Sequence, residues 1–139
     1  MQVELLTLTG AKFSGEAKEI NLKTTEGSLS ILPHHEPMTA IMLAGPITIT
    51  TDSKEELFAT FGGIIEVQSN AVHILADEAD HADDLIESEI EAVLEKAQSL
   101  IAVAKDKAEL HRAQTLVDRH AVRLEVARIR RHHHSKHIR

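Results

Sequence analysis

The sequence predicts an all-β sandwich N-terminal domain followed by a C-terminal antiparallel α-helical hairpin. Three observations predict it. Short β-branched and aliphatic runs recur through residues 1–80, separated by Gly, Pro, Asn, Asp and Ser. From about residue 82 the apolar residues switch to helical spacing. No Pro or Gly follows Gly63, so nothing interrupts two long helices. The expected division is a sandwich over 1–80 and a hairpin over 81–139.

Predicted strands are Val3–Leu8, Ala17–Lys23, Leu29–Leu32, Ile47–Thr51, Glu56–Phe61, Ile64–Gln68 and Ala71–Ala76. Several alternate apolar with polar, as half-buried strands do: Ile20 and Leu22, Ile47 and Ile49, Val72 and Ile74. Turn signals stand between them at Thr9-Gly10, Ser14-Gly15, Glu26-Gly27, Gly45-Pro46, Asp52-Ser53, Gly62-Gly63 and Ser69-Asn70. Gly62-Gly63 reads as a turn or bulge between two strands.

The first helix is expected over Ala82–Ala104. Its apolar face is Ile86, Ile90, Val93, Ala97, Leu100 and Ala104, widened by Leu85, Leu94 and Ile101. Asp77, Asp80, Asp83 and Asp84 crowd its expected start, where the helix dipole favours negative charge. A break follows at Lys105-Asp106. Asp106 and Glu109 have the spacing of a reciprocal N-terminal cap. The second helix is expected from about Lys107 to about Arg130, with Leu110, Ala113, Val117, His120, Leu124 and Ala127 on one face. The His-rich tail from Arg131 is expected to fray.

Composition narrows the functions. The chain has 139 residues, 42% of them hydrophobic, enough for a core. Cysteine is absent, which excludes disulfides, thiolate metal sites and a cysteine nucleophile. No apolar run has the length of a membrane span, and the opening residues lack signal-peptide character. A soluble chain on the cytoplasmic side is expected. The net charge of −7 is unevenly spread. Residues 1–104 carry 5 Lys/Arg against 18 Asp/Glu; residues 105–139 carry 10 against 4. The acidic part, with three Phe and no Trp or Tyr, argues against nucleic acid as partner.

Catalytic chemistry finds little to work with. His34-His35-Glu36, with His73 or His81, could hold a metal ion and support a metal-dependent hydrolase, but strand neighbours point opposite ways. His132-His133-His134 with His137 could also take up a metal, against the plainer reading of a solvated end. There is no phosphate-cradling loop of the G-x-x-x-x-G-K-S/T type. The basic second helix is either a solvated face or a strip for an acidic protein surface, which leaves a free-standing adaptor as a further alternative.

Two segments carry a resemblance. Residues 26–41, Glu26-Gly27-Ser28-Leu29-Ser30-Ile31-Leu32-Pro33-His34-His35-Glu36-Pro37-Met38-Thr39-Ala40-Ile41, resemble the E-G-x-L-G-I-L-P-G-H-A-P-L-x-T-A-L segment of the epsilon subunit family of F-type ATP synthases. Phe58–Val67 and Val72–Ala79 resemble that family's F-x-x-x-G-G-x-L-E-V and V-T-I-L-A-D-x-A, and Phe13-Ser14-Gly15-Glu16 its early F-S-G-E. His34 stands where the family usually has Gly, Glu36 where it has Ala, and Ser30 where it has Gly. The usual K-P-G order is not kept at Met42–Pro46.

The resemblance implies a non-catalytic rotor subunit of a membrane-bound motor that couples ion flow to ATP synthesis. It implies partners: the gamma subunit and the c-ring for the sandwich, through Glu26, Gly27, Ser28 and His35. For the hairpin it implies alpha and beta subunits, met by Arg119, Arg123, Arg128 and Arg130, and a brake on ATP hydrolysis. It implies peripheral attachment to the cytoplasmic face of a bacterial membrane. Some members bind ATP through I/L-D-x-x-R-A; here Glu109, Arg112 and Ala113 align, and Ala108 and Glu109 depart from the motif. No cofactor is otherwise expected. Small side chains at Ala97, Ala104, Ala113 and Ala127 would hold a docked hairpin weakly, as a two-state switch needs.

Overall fold

The computed structural model describes the backbone of residues 1–138 and the side chains of residues 1–133. The chain divides into two compact units, Met1–Ala82 and a second beginning at Asp83.

The first unit is the β-sandwich. Its strands are β1 (Gln2–Thr7), β2 (Gly10–Glu16), β3 (Glu19–Thr24), β4 (Gly27–Ile31), β5 (Met38–Thr50), β6 (Glu55–Gln68), β7 (Ala71–Ala76) and β8 (Ala79–His81). They pair in the order β2-β1-β7-β6-β5-β3-β4, and β8 joins β6. All pairs are antiparallel except β1 with β7, which run parallel from Gln2↔Ala71 to Leu6↔Leu75. The alternating residues point as their pattern predicts: Val3, Leu5, Ile20, Ile47, Ile49, Ile65, Val72 and Ile74 are fully buried in one core.

β5 and β6 form one long hairpin, paired from Met38↔Val67 to Thr50↔Glu55. Along the other edge of β6, β7 covers Gly63–Gln68 and β8 covers Phe58–Thr60. The handover falls at Gly62-Gly63. Gly63 has φ +144°, and a Cβ there would overlap the carbonyl oxygen of Leu75 and stand 2.9 Å from Ala76 Cα. Only a residue without a side chain lets β7 approach. Gly62-Gly63 is therefore a kink inside one continuous strand, not a turn between two. β8 is clamped by His81, which meets the Glu56 carboxylate and sets its ring edge-on to Phe58 at 4.9 Å. Burial pushes the Glu56 carboxyl up. Hydrogen bonds from His81 and Lys54 outweigh that and hold it below the usual range.

The β6–β7 turn places Ser69 and Asn70 at φ +51° and +59°, the conformation of a two-residue hairpin turn. Asn70 Oδ1 accepts the His34 amide at 2.9 Å. His34 has φ +65°, so a side chain does occupy the left-handed turn where glycine is usual.

The second unit holds α1 (Glu87–Ala102) and α2 (Lys107–Ile138), preceded by a 3-10 turn at Ala82–Asp84. Ile90, Leu124 and Ala127 form its small core, with Leu85 and Leu94 against it. α1 starts five residues later than its spacing predicts. Asp77, Asp80, Asp83 and Asp84 precede it, and Glu87 and Glu89 occupy its first turn. α2 continues well past Arg130, because neither Pro nor Gly stops it. The cap at its start is as expected. The Glu109 amide donates to Asp106 Oδ1 at 2.8 Å, and the Lys105 amide to Glu109 Oε2 at 2.9 Å.

Three stability outcomes follow. Gly63→Ala adds overlap and strain worth about 3 kcal/mol or more. Thermal unfolding should drop by ~10 °C or more. His34→Gly trades left-handed strain against added unfolded-state entropy and should stay within about 0.5 kcal/mol of the parent. His34→Val, β-branched at positive φ, should lose about 2 kcal/mol in urea unfolding.

Candidate functional site

Glu26, Gly27 and Ser28 form the exposed tip between β3 and β4. Thr24 builds this turn: its hydroxyl donates to the Gly27 carbonyl at 2.9 Å and accepts the Glu26 amide at 3.2 Å. The Thr25 amide reaches across to the Ile41 carbonyl at 3.1 Å. His35 does not join this group. It is half-buried in the loop after β4, its Nδ1 2.8 Å from the Glu36 carbonyl oxygen. The five-residue strand β4 lies between, so tip and loop stand at opposite strand ends, about 17 Å apart.

What joins the tip is an apolar row that motif reading alone does not find. The register sets Leu6 against Leu75, Leu75 against Ile64, and Ile64 against Ile41. Leu75, Ile64 and Ile41 are 54%, 48% and 60% exposed. The row crosses four adjacent strands on the face turned away from the core and ends beside the Glu26 tip. Its trace in the sequence is a set of apolar doublets that break alternation: Leu5-Leu6, Ile41-Met42, Ile64-Ile65 and Ile74-Leu75. One member of each faces in, the other out. Covering the three exposed side chains would release about 1 kcal/mol each.

The hairpin arginines are engaged within their own unit. Arg128 reaches Glu87 through Nε at 3.3 Å and Glu91 through Nη2 at 3.4 Å. Arg130 meets Asp83 at 2.8 Å and Arg131 meets Glu87 at 3.1 Å. Arg123 lies 3.4 Å from His120 Nδ1. Burial, and then the Arg123 charge, hold His120 below its usual pKa. Arg119 is half-buried.

At the closed end of the hairpin, Glu109, Arg112 and Ala113 line one groove of about 420 Å³ with Leu100, Val103, Ala104 and Leu116. These residues fit a nucleotide poorly. The groove wall is mostly aliphatic, and one oxygen of the Glu109 carboxylate accepts the Lys105 amide in the α2 cap. The hydrolase alternative lacks its site. Among the described residues no group of three or more His, Asp or Glu could hold a metal ion. His134 and His137 lie outside the described side chains. No described helix is long and apolar enough to cross a membrane.

Comparison with known proteins gives this geometry a context. The family described as ATP synthase, Delta/Epsilon chain, beta-sandwich domain, matches residues 1–82. An ATP synthase epsilon chain of Bordetella petrii is 40% identical over 111 residues, 79% of each chain. That of Herpetosiphon aurantiacus is 32% identical over 131 residues, 94% of this chain and 96% of the relative. A chain in the Euglena gracilis mitochondrial ATP synthase structure, OSCP/F1/c-ring, shares the fold with a TM-score of 0.77 at 20% identity. It covers 90% of this chain and 79% of that one. A chain of the Tetrahymena thermophila mitochondrial ATP synthase central stalk/c-ring structure matches with a TM-score of 0.59 at 18% identity, over 91% and 96%. With its sandwich, its two helices and 32% to 40% identity to these relatives over most of its length, the chain belongs to the ATP synthase epsilon chain family, whose members are non-catalytic subunits of the complex.

Proposed function

We propose that this chain is a rotor subunit of the central stalk, helping to couple ion flow through the c-ring to ATP synthesis. The observation that carries the reading is the exposed apolar row Leu75–Ile64–Ile41, which ends at the Glu26–Ser28 tip. An exposed apolar strip with a polar surround is the mark of a docking surface. In this reading the row and the His35 loop face the gamma subunit, and the tip meets the c-ring. The attachment holds the chain at the cytoplasmic face of the membrane without a span of its own. Co-purification with tagged gamma checks it: gamma, c, alpha and beta subunits should come down with the parent and be lost with Ile64→Asp.

The hairpin acts as the brake on ATP hydrolysis. Arg128 exchanges its carboxylate partners on α1, and Arg130 exchanges Asp83 in the turn before α1, for acidic loops of alpha and beta subunits when the hairpin opens. Exposed ion pairs of this kind are worth little each, so the exchange costs little. Deleting residues 85–139 should leave assembly intact and raise ATPase activity of the complex by about fivefold or more. Unchanged ATPase would remove the brake from the account.

The hairpin works without bound nucleotide. Two motif positions are missing, and Glu109 is committed to the cap. Titration of the isolated chain with Mg-ATP should release no heat up to millimolar ligand.

A further inference from the structure

The hairpin carries an apolar stripe that its own second helix leaves uncovered. Ile86 at the N-cap of α1, then Val93 and Leu100, recur at steps of seven residues and are 53%, 44% and 48% exposed. At 100° per residue they lie about 40° to 80° round the helix from Ile90, which is buried with Leu124 and Ala127. Glu89 and Lys96 lie about 100° to 120° round in the same sense, so they border the stripe on the flank turned away from α2. Both are exposed. Among the described residues neither meets an opposite charge. Glu87 and Glu91, the α1 carboxylates that hold Arg128 and Arg131, lie on the other side of the helix.

The layout reads the same from both ends. Ile86 and Leu100 stand seven residues either side of Val93, about 10 Å each way. A second copy of α1 laid antiparallel across the stripe sets Val93 on Val93, and Ile86 on Leu100 twice. Antiparallel helices related by a two-fold present the same flank to each other. Glu89 then comes within one residue, about 1.5 Å of rise, of the level of Lys96 on the second copy, and this pair also occurs twice. A parallel copy presents the opposite flank, where Ile90 is already buried and no charge answers Glu89 or Lys96.

We infer that the free chain pairs with a second copy of itself through this stripe, α1 antiparallel to α1, with Glu89 of each copy meeting Lys96 of the other at its border. The apolar residues supply the attraction, and the charges choose the direction and the register. The inference stands apart from the rotor reading, since it uses neither the sandwich nor its exposed row. Three half-exposed side chains from each copy make a small contact, so the dimer is weak, with a dissociation constant on the order of 100 µM.

The test is sedimentation equilibrium of the full chain at low ionic strength, from about 10 µM to 1 mM. The parent should pass from monomer to dimer across this range. Glu89→Lys and Lys96→Glu each set like charges across the border and should weaken the dimer about tenfold. Placed together in one chain, they exchange the signs and should restore it. Val93→Asp should stay monomeric throughout. The substituted side chains are all exposed, so each variant should unfold thermally near the parent, which separates a lost contact from a lost fold. A parent that stays monomeric to the top of the range overturns the inference. A doubly exchanged chain no tighter than the single variants overturns the antiparallel register, and a dimer that survives Val93→Asp overturns the stripe. A monomeric parent whose Val93→Asp variant also loses alpha and beta subunits on co-purification assigns the stripe to the complex instead of a second copy.

Discussion

At Gly63 the chain passes so near the carbonyl of Leu75 that only a hydrogen fits on its Cα. Everything in the sandwich is arranged around that approach. It lets β6 keep β5 along one edge for its whole length while handing its other edge from β8 to β7. Without the kink, β7 could not seat its carbonyls, and β1 would lose one of its two neighbours. The exposed apolar row depends on the same contact. Ile64 follows Gly63 directly, and its pairing with Leu75 and Ile41 is set by how closely the strands come together.

The hairpin is organised by charge more than by core. Its buried cluster is small, and the carboxylates of α1 meet the guanidinium groups of α2 near the open end. At the other end the reciprocal cap of Asp106 and Glu109 holds the first turn of α2. Contacts of this kind are strong enough to define a shape and weak enough to be exchanged.

Much of this was legible in the residues. Strands with buried alternate positions announce themselves, as Ile20 with Leu22 and Ile47 with Ile49 do. β2 does not, because it lies at the sheet edge with no buried residue and so has no alternation to read. The first half of β5 hides behind Gly45-Pro46, which looks like a turn and is accommodated within the strand opposite Thr60 and Ala59. The aspartates before α1 mimic a helix start, although Asp80 belongs to β8. The cap at Asp106 is visible because it is local. The exposed apolar row is invisible until register is known: it needs β1, β7, β6 and β5 aligned, and the sequence holds only apolar doublets as its trace. Arg128 and Glu87, forty-one residues apart, leave no trace at all.

The parallel pairing of β1 with β7 has a consequence for synthesis. β1 is made well before β7 and must wait for residues 71–76 before its inner edge is satisfied. Until then it has β2 alone. The nascent chain therefore carries an open, sticky ribbon for most of the head's translation, and closes it only as the helices begin to emerge. Those helices need no such delay, since each finds its mate within a few dozen residues.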